Sequence, residues 1–270
     1  MNIFRYFKKL AALLGLVSAS VLNGGCMQAS EFFDRDMTQL LNTIVKQDRV
    51  RARELLDQGL DLNIHGQEGI TPLIWLVMQK DKAAVQLAIE LGADPDFPSD
   101  DGGSLVAMVA GGNDSELLQL LLDKGADPDS VDHNGKPALF PVVAYARKDQ
   151  LDLMLAAGAD INKTDKSNAT PLNYAGSLRL YEMAYRLLMN NADHTIRDST
   201  DGDIAWSVHT ALEKRITAPE SDQYPWLLKV RDILVERGVT FPPISPRQVR
   251  IKEGRPNKWD LEAMEKENKS

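Results

Sequence analysis

The tightest constraint on this chain is a spacing. "GLDLN" begins at Gly59, "GADPD" at Gly92 and again at Gly125, "GADIN" at Gly158 and "NADHT" at Asn191, each 33 residues after the one before. A second landmark keeps the same step, with "GITPL" at Gly69, "GGSLV" at Gly102, "GKPAL" at Gly135 and "NATPL" at Asn168. Two independent landmarks on one beat leave no room for coincidence. Such a chain stacks similar units, none of which can bury its apolar face alone. A degraded copy, "GVTFP", begins at Gly238, 47 residues after Asn191, which is one period plus an insertion of 14.

The landmarks have local reasons. Thr71 and Thr170 are placed to accept hydrogen bonds from the free N–H groups of a helix start, and Pro72 and Pro171 suit its first position. Gly59, Gly92, Gly125 and Gly158 follow leucine-rich runs and suit the left-handed residue that ends a helix. Before them, "ARELLDQ", "LLQLLLDK" and "LDLMLAA" set leucines three and four apart, the spacing of one helix face. The period therefore predicts an all-α stack of helix-turn-helix units joined by short tips.

This pattern resembles the ankyrin-repeat family, whose unit is a turn and two helices with a period of about 33 residues. The resemblance covers residues 37–240 and implies an ankyrin solenoid of an opening cap and about five units, with an insertion near 213–225. The opening cap lacks the "TPL" turn, and residues 241–270 read as a Pro- and charge-rich extended tail with a short helix at 259–266. The family's "TPLH" histidine is replaced in every copy, by Ile74, Ala107, Phe140, Asn173 and Trp206. That histidine normally ties neighbouring turns together, so the resemblance implies weaker ties here.

The N-terminus reads as an address. "MNIFRYFKKL" is a basic head, followed by an apolar run at 10–22 that is too short for a comfortable permanent span. Small residues then lead to Cys26, the only cysteine. This resembles a bacterial lipoprotein signal over residues 1–25, which implies lipidation of Cys26, a tether at 26–36 and, with Met27 in the second position, the periplasmic face of the outer membrane. Asn23 stands where lipoprotein signals prefer an aliphatic residue. Ordinary cleavage near "MQAS", leaving a soluble periplasmic protein, is the alternative, and an internal start at Met37 would give a minor cytoplasmic form.

Net charge is -8 for the whole chain and -13 over residues 27–240. An acidic body repels nucleic acid and suits a basic protein partner. The four histidines, His65, His133, His194 and His209, make no metal-type spacing, and neither a serine elbow nor a phosphate-binding glycine loop is present. Pairs such as Asp94 with Asp96 recur on the repeat beat and read as repeat features rather than a metal site. No catalytic group, metal or cofactor is expected.

The resemblance to ankyrin repeats also implies where a partner touches: the tips and the end of the first helix of each unit. By spacing, the tips are Gln67 and Glu68, Asp100 and Asp101, His133 and Asn134, and Lys166 and Ser167. The helix ends are Met78 and Gln79, Gly111 and Gly112, Ala144 and Tyr145, and Ser177 and Leu178. Met78, Tyr145 and Leu178 read equally as anchors for a partner or as packing against the next unit. Trp75 and Tyr174 read as core, and Trp206 and Trp226 as brackets around the inserted loop at 217–225. An envelope lipoprotein with a rigid binding surface resembles the immunity proteins that block secreted antibacterial lipase toxins of the phospholipase type by steric occlusion. The alternative is a periplasmic scaffold supporting a resident enzyme, for example one that protects against oxidative damage.

Overall fold

The computed structural model describes residues 27–267, so the expectations for residues 1–25 and for Cys26 lie outside the described residues. Fourteen α-helices follow one another: α1 (Arg35–Val45), α2 (Arg49–Asp57), α3 (Pro72–Met78), α4 (Lys82–Glu90), α5 (Leu105–Ala110), α6 (Ser115–Asp123), α7 (Leu139–Ala144), α8 (Lys148–Ala156), α9 (Pro171–Ser177), α10 (Tyr181–Met189), α11 (Ile204–Glu213), α12 (Tyr224–Glu236), α13 (Pro246–Lys252) and α14 (Lys258–Glu267). Among the described residues no strand forms, and a single isolated bridge joins Val131 to Pro137 in one tip. The chain divides into two compact units, residues 1–159 and 160–270.

In the first unit, α1 to α8 form four antiparallel pairs. First helices pack on first helices (α1 on α3, α5 on α7) and second on second (α4 on α6, α6 on α8). The caps follow the sequence chemistry. The hydroxyl of Thr71 accepts the Ile74 N–H at 3.1 Å, with Pro72 in the first turn, and Ser104 does the same for Ala107 at 3.0 Å. Three of the four second helices begin on carboxylates instead, with Asp48, Asp81 and Asp114 accepting from Arg51, Ala84 and Leu117, while α8 follows Arg147 without a side-chain cap. At their far ends Gly59, Gly92, Gly125 and Gly158 take φ of 101°, 111°, 90° and 91°, the left-handed region that only glycine enters without cost. Leu40, Leu41, Ile44, Leu76, Leu118 and Leu121 fill the interior, fully buried or nearly so.

The second unit repeats this plan in α9 to α12, with α9 on α11 and α10 on α12. Thr170 caps α9 through the Asn173 N–H at 3.1 Å. The start of α10 has no side-chain cap of its own. The inserted loop supplies one, because the Gln223 side chain accepts the Glu182 N–H at 3.1 Å. Thr217 of the same loop is buried. Trp226 lies against Tyr185 with ring centroids 5.1 Å apart, and Lys229 sits over it at 4.0 Å, while Trp206 meets His209. Trp75 is buried, as expected of a core residue, and Tyr174 is half-buried.

Two segments differ from the sequence expectation. Residues 27–36 are no free tether. Ala29 to Glu31 make a 3-10 turn, Phe32 and Phe33 are buried, and Asp34 caps α1 by accepting the Met37 N–H. The Phe32 carbonyl accepts the Gln67 N–H at 2.7 Å, so this segment occupies the ground that the missing first turn leaves open. The tail is not extended either, although the short helix expected at 259–266 is present as α14. Ser245 and Gln248 form a reciprocal capping box at the start of α13, and Arg250 grips Asp260 of α14 with two bonds of 2.6 and 2.8 Å.

Candidate protein-binding surface

Five tips are built alike, 33 residues apart. The N–H groups of Gly66, Ser99, Asp132, Asp165 and Asp198 donate to the carbonyls of Ile70, Gly103, Lys136, Ala169 and Gly202, at 2.8 to 3.0 Å. Each turn has a left-handed residue next to last, with Gly69, Gly102, Gly135, Asn168 and Asp201 at φ between 55° and 82°, and the first tip adds a second in Glu68 at φ 58°. Asn and Asp tolerate this region because their short polar side chains bond locally. In three tips a carboxylate holds the bend from inside, with Asp132, Asp165 and Asp198 accepting the N–H two residues on at 2.8 Å.

These turns push the intervening side chains outward. All eight tip residues singled out from the sequence, Gln67, Glu68, Asp100, Asp101, His133, Asn134, Lys166 and Ser167, are exposed. Asp101 is partly spent on its own turn, accepting from the Ser99 hydroxyl at 2.6 Å and the Gly103 N–H at 3.2 Å. His133 and Asn134 bond to each other at 2.9 Å. In the first unit the tips present Glu68, Asp100 and Asp101 without a cation among these positions, which makes that stretch of surface acidic.

The helix ends are less uniform. Met78 and Gln79 are half-buried, and the Gln79 amide donates to the Met27 carbonyl at 3.0 Å, so this end of the row is taken up by the N-terminal segment. Gly111 and Gly112 are buried, and a Cβ at Gly111 would sit tightly against Pro141 and the Tyr145 ring, at 3.0 and 3.3 Å. Ala144 is half-buried and Ser177 exposed. Tyr145 rests one edge on Gly111 yet remains 43% exposed, and Leu178 is 42% exposed. Tyr145 and Leu178 thus retain the free apolar surface of an anchor, and Met78 packs.

A feature invisible in the landmarks ties the repeats together. Asn63, Asp96 and Asn162 sit at one repeat position, and their side-chain oxygens accept the N–H groups of Asp94, Asp127 and Asp193, each 31 residues on, at 2.7 to 2.9 Å. Asn63 also donates to the Gly92 carbonyl at 3.0 Å. The paired acids of "DPD" are therefore hydrogen-bonding rungs, with Asp94 and Asp127 bending their own loops by accepting the N–H of Asp96 and Asp129. Asp96 is exposed as a residue, but partial desolvation of its carboxyl pushes it above the ordinary range, and the Asp94 and Asp127 charges add to this against the pull of the Asp127 N–H. The "TPLH" histidine position is filled in two ways: Ile74, Ala107 and Phe140 are buried core, and Asn173 donates to the Ile196 carbonyl at 3.0 Å.

The ankyrin-repeat family model matches residues 26–132 and 105–198, together more than half of the chain. The chain belongs to the ankyrin-repeat family, whose members are protein-interaction modules. Solved structures agree on the fold. The ankyrin repeat domain of Bcl-3, a member of the IkappaB family, is 23% identical with a TM-score of 0.61, over 78% of this chain and 92% of that one. An ankyrin repeat domain from Acinetobacter baumannii AYE is 20% identical with a TM-score of 0.58, covering 71% and 97%. The ankyrin repeat protein EF0377 is 22% identical with a TM-score of 0.57, covering 73% and 96%. No curated protein matches the sequence.

Proposed function

We propose that this chain is a non-catalytic binding protein of the bacterial envelope, anchored through a lipidated Cys26, that blocks a secreted lipid-cleaving toxin by covering its active site. The observation that carries the reading is the tip turn, built alike three times in the first unit and twice in the second, with its side chains held outward. Rigid presentation limits the ordering cost of association, which lets a modest contact area bind tightly. Acidic tips in the first unit complement a basic partner surface and speed its capture. Tyr145 and Leu178 are the apolar candidates for anchors.

Purification of the tagged full chain, with its own leader, from envelopes of the native organism tests the proposal. The expected companion is a secreted hydrolase, bound in equal amount and losing activity as the protein is added. A resident envelope enzyme that stays active in the complex would overturn the inhibitor reading in favour of a scaffold.

A further inference from the structure

The first unit segregates its charge. Between residues 27 and 159 there are 11 Lys and Arg against 22 Asp and Glu. Seven of those 11 cations fall in the four short stretches where the first helix of a pair turns into the second (45–51, 78–84, 111–117 and 144–150), with only five of the 22 acids. Because each pair is a hairpin, these stretches share one edge, opposite the tips. That edge is net positive on a unit that is otherwise strongly acidic.

The edge also collects apolar surface. Among the described residues of this unit, Val45, Val50 and Tyr145 are the large apolar side chains that are exposed, and all three lie in these stretches, with Val50 71% exposed. Around them stand Lys46, Arg49, Arg51 and Lys80, all exposed, and Arg147 and Lys148, half-buried. Three of the five acids, Asp48, Asp81 and Asp114, are turned to helix N–H groups as caps. Lys82 pairs with Asp114 and Glu116, Arg49 with Glu90, and Arg51 with Glu54.

Met27, the first described residue, lies at this edge. The Met27 carbonyl is bound by Gln79, in the second stretch, and Phe32 and Phe33 are buried a few residues on, so no slack separates residue 27 from the body.

We propose that the part of this edge formed by the first two helix-to-helix turns, 45–51 and 78–84, rests on an anionic phospholipid surface, leaving the tips facing away from it. The inference rests on the lipid anchor at Cys26 proposed above. A lipid anchor fixes the chain to the membrane without orienting it, and a neighbouring basic patch attracted to anionic headgroups selects which face lies down. Long basic side chains keep their charge at headgroup level while Val45 and Val50 enter the interface. The acidic tips, repelled by the same surface, are presented to a partner.

The test uses the full chain, processed in envelopes and reconstituted into phosphatidylcholine vesicles containing phosphatidylglycerol. Mass measurement of the mature N-terminus first decides whether Cys26 is acylated. In that form a cysteine introduced by V50C, or by D57C at the opposite end of α2, is the sole free thiol for a fluorescent label. Iodide quenching is expected to be roughly threefold or more weaker at position 50 than at 57, and K46E/R51E/K80E is expected to erase the difference while the protein stays bound. Equal quenching at both positions of the acylated protein overturns the edge assignment and leaves the anchor standing. An unacylated Cys26 overturns both.

Discussion

The carboxylate of Asp96 accepts the backbone N–H of Asp127 at 2.9 Å, joining one repeat to the next. Asn63 and Asn162 do the same work with an amide oxygen at the same repeat position. Asp96→Asn therefore keeps the bond and removes a charge that partial desolvation and two neighbouring acids disfavour. Its urea midpoint is expected to equal or exceed that of the parent at pH 7. Asp96→Ala leaves the Asp127 N–H without its partner and is expected to cost about 1 kcal/mol. A folded-state pKa above the unfolded value means that the parent loses stability as pH rises through the interval just above the ordinary Asp value. The Asn variant's advantage should grow across that interval, and an advantage that shrinks there would contradict the account.

The C-terminal hairpin has the opposite pH response. The Arg250 guanidinium beside Asp260 holds its carboxyl down at about 2, and Arg255, then Arg250, hold Asp201 below the usual carboxylate range. A depressed folded-state pKa gives stability that is complete above the unfolded value and is lost as pH falls through the folded one. Helices α13 and α14 are expected to come away from the fifth tip between about pH 4 and pH 2. Hydrogen exchange followed segment by segment should show residues 246–267 losing protection first on acidification. Asp260→Asn, which cannot take both Arg250 bonds as an anion, should show the same loss at pH 7.

Phe32 and Phe33 set a limit on where a folded chain can begin. Translation from Met37 removes both, together with the Asp34 cap of α1 and the bond from Gln67 to the Phe32 carbonyl. Each buried phenylalanine contributes about 1.5–3 kcal/mol, and the cap about 1 kcal/mol. A protein starting at Met37 is expected to melt well below one starting at Met27, by circular dichroism at equal concentration. Equal melting temperatures would show that the segment is dispensable, and would restore the internal start as a source of stable protein.

The period, the helix caps and the left-handed glycines were legible because each rests on a single residue type at a fixed spacing. The exposure of the tips followed from the same spacing. What escaped was contact made at a distance. Asp96 reads as an acid in a loop until the next repeat brings Asp127 against it, and Gln223 reads as loop until α10 appears without a cap. The tail helix α13 left a local mark, since Ser245, Pro246 and Gln248 spell out a capping box. Its proline- and charge-rich surroundings masked it. The segment at 27–33 had a weaker mark in the adjacent Phe32 and Phe33, a costly pair to leave in water.

The tips separate partner binding from stability. Glu68 and Asp100 are exposed, and no side-chain bond to the fold is formed by Glu68, whereas Asp101 holds its own turn. Charge reversal by Glu68→Lys with Asp100→Lys is expected to leave the melting temperature within about 2 °C of the parent, since exposed substitutions shift stability little. On a basic partner it should slow association about tenfold or more at low salt, with a smaller effect at 0.5 M salt. Surface plasmon resonance with the companion recovered from envelopes measures both. An unchanged association rate would place the contact elsewhere, and Tyr145→Ala with Leu178→Ala would then carry the larger loss, seen as faster dissociation.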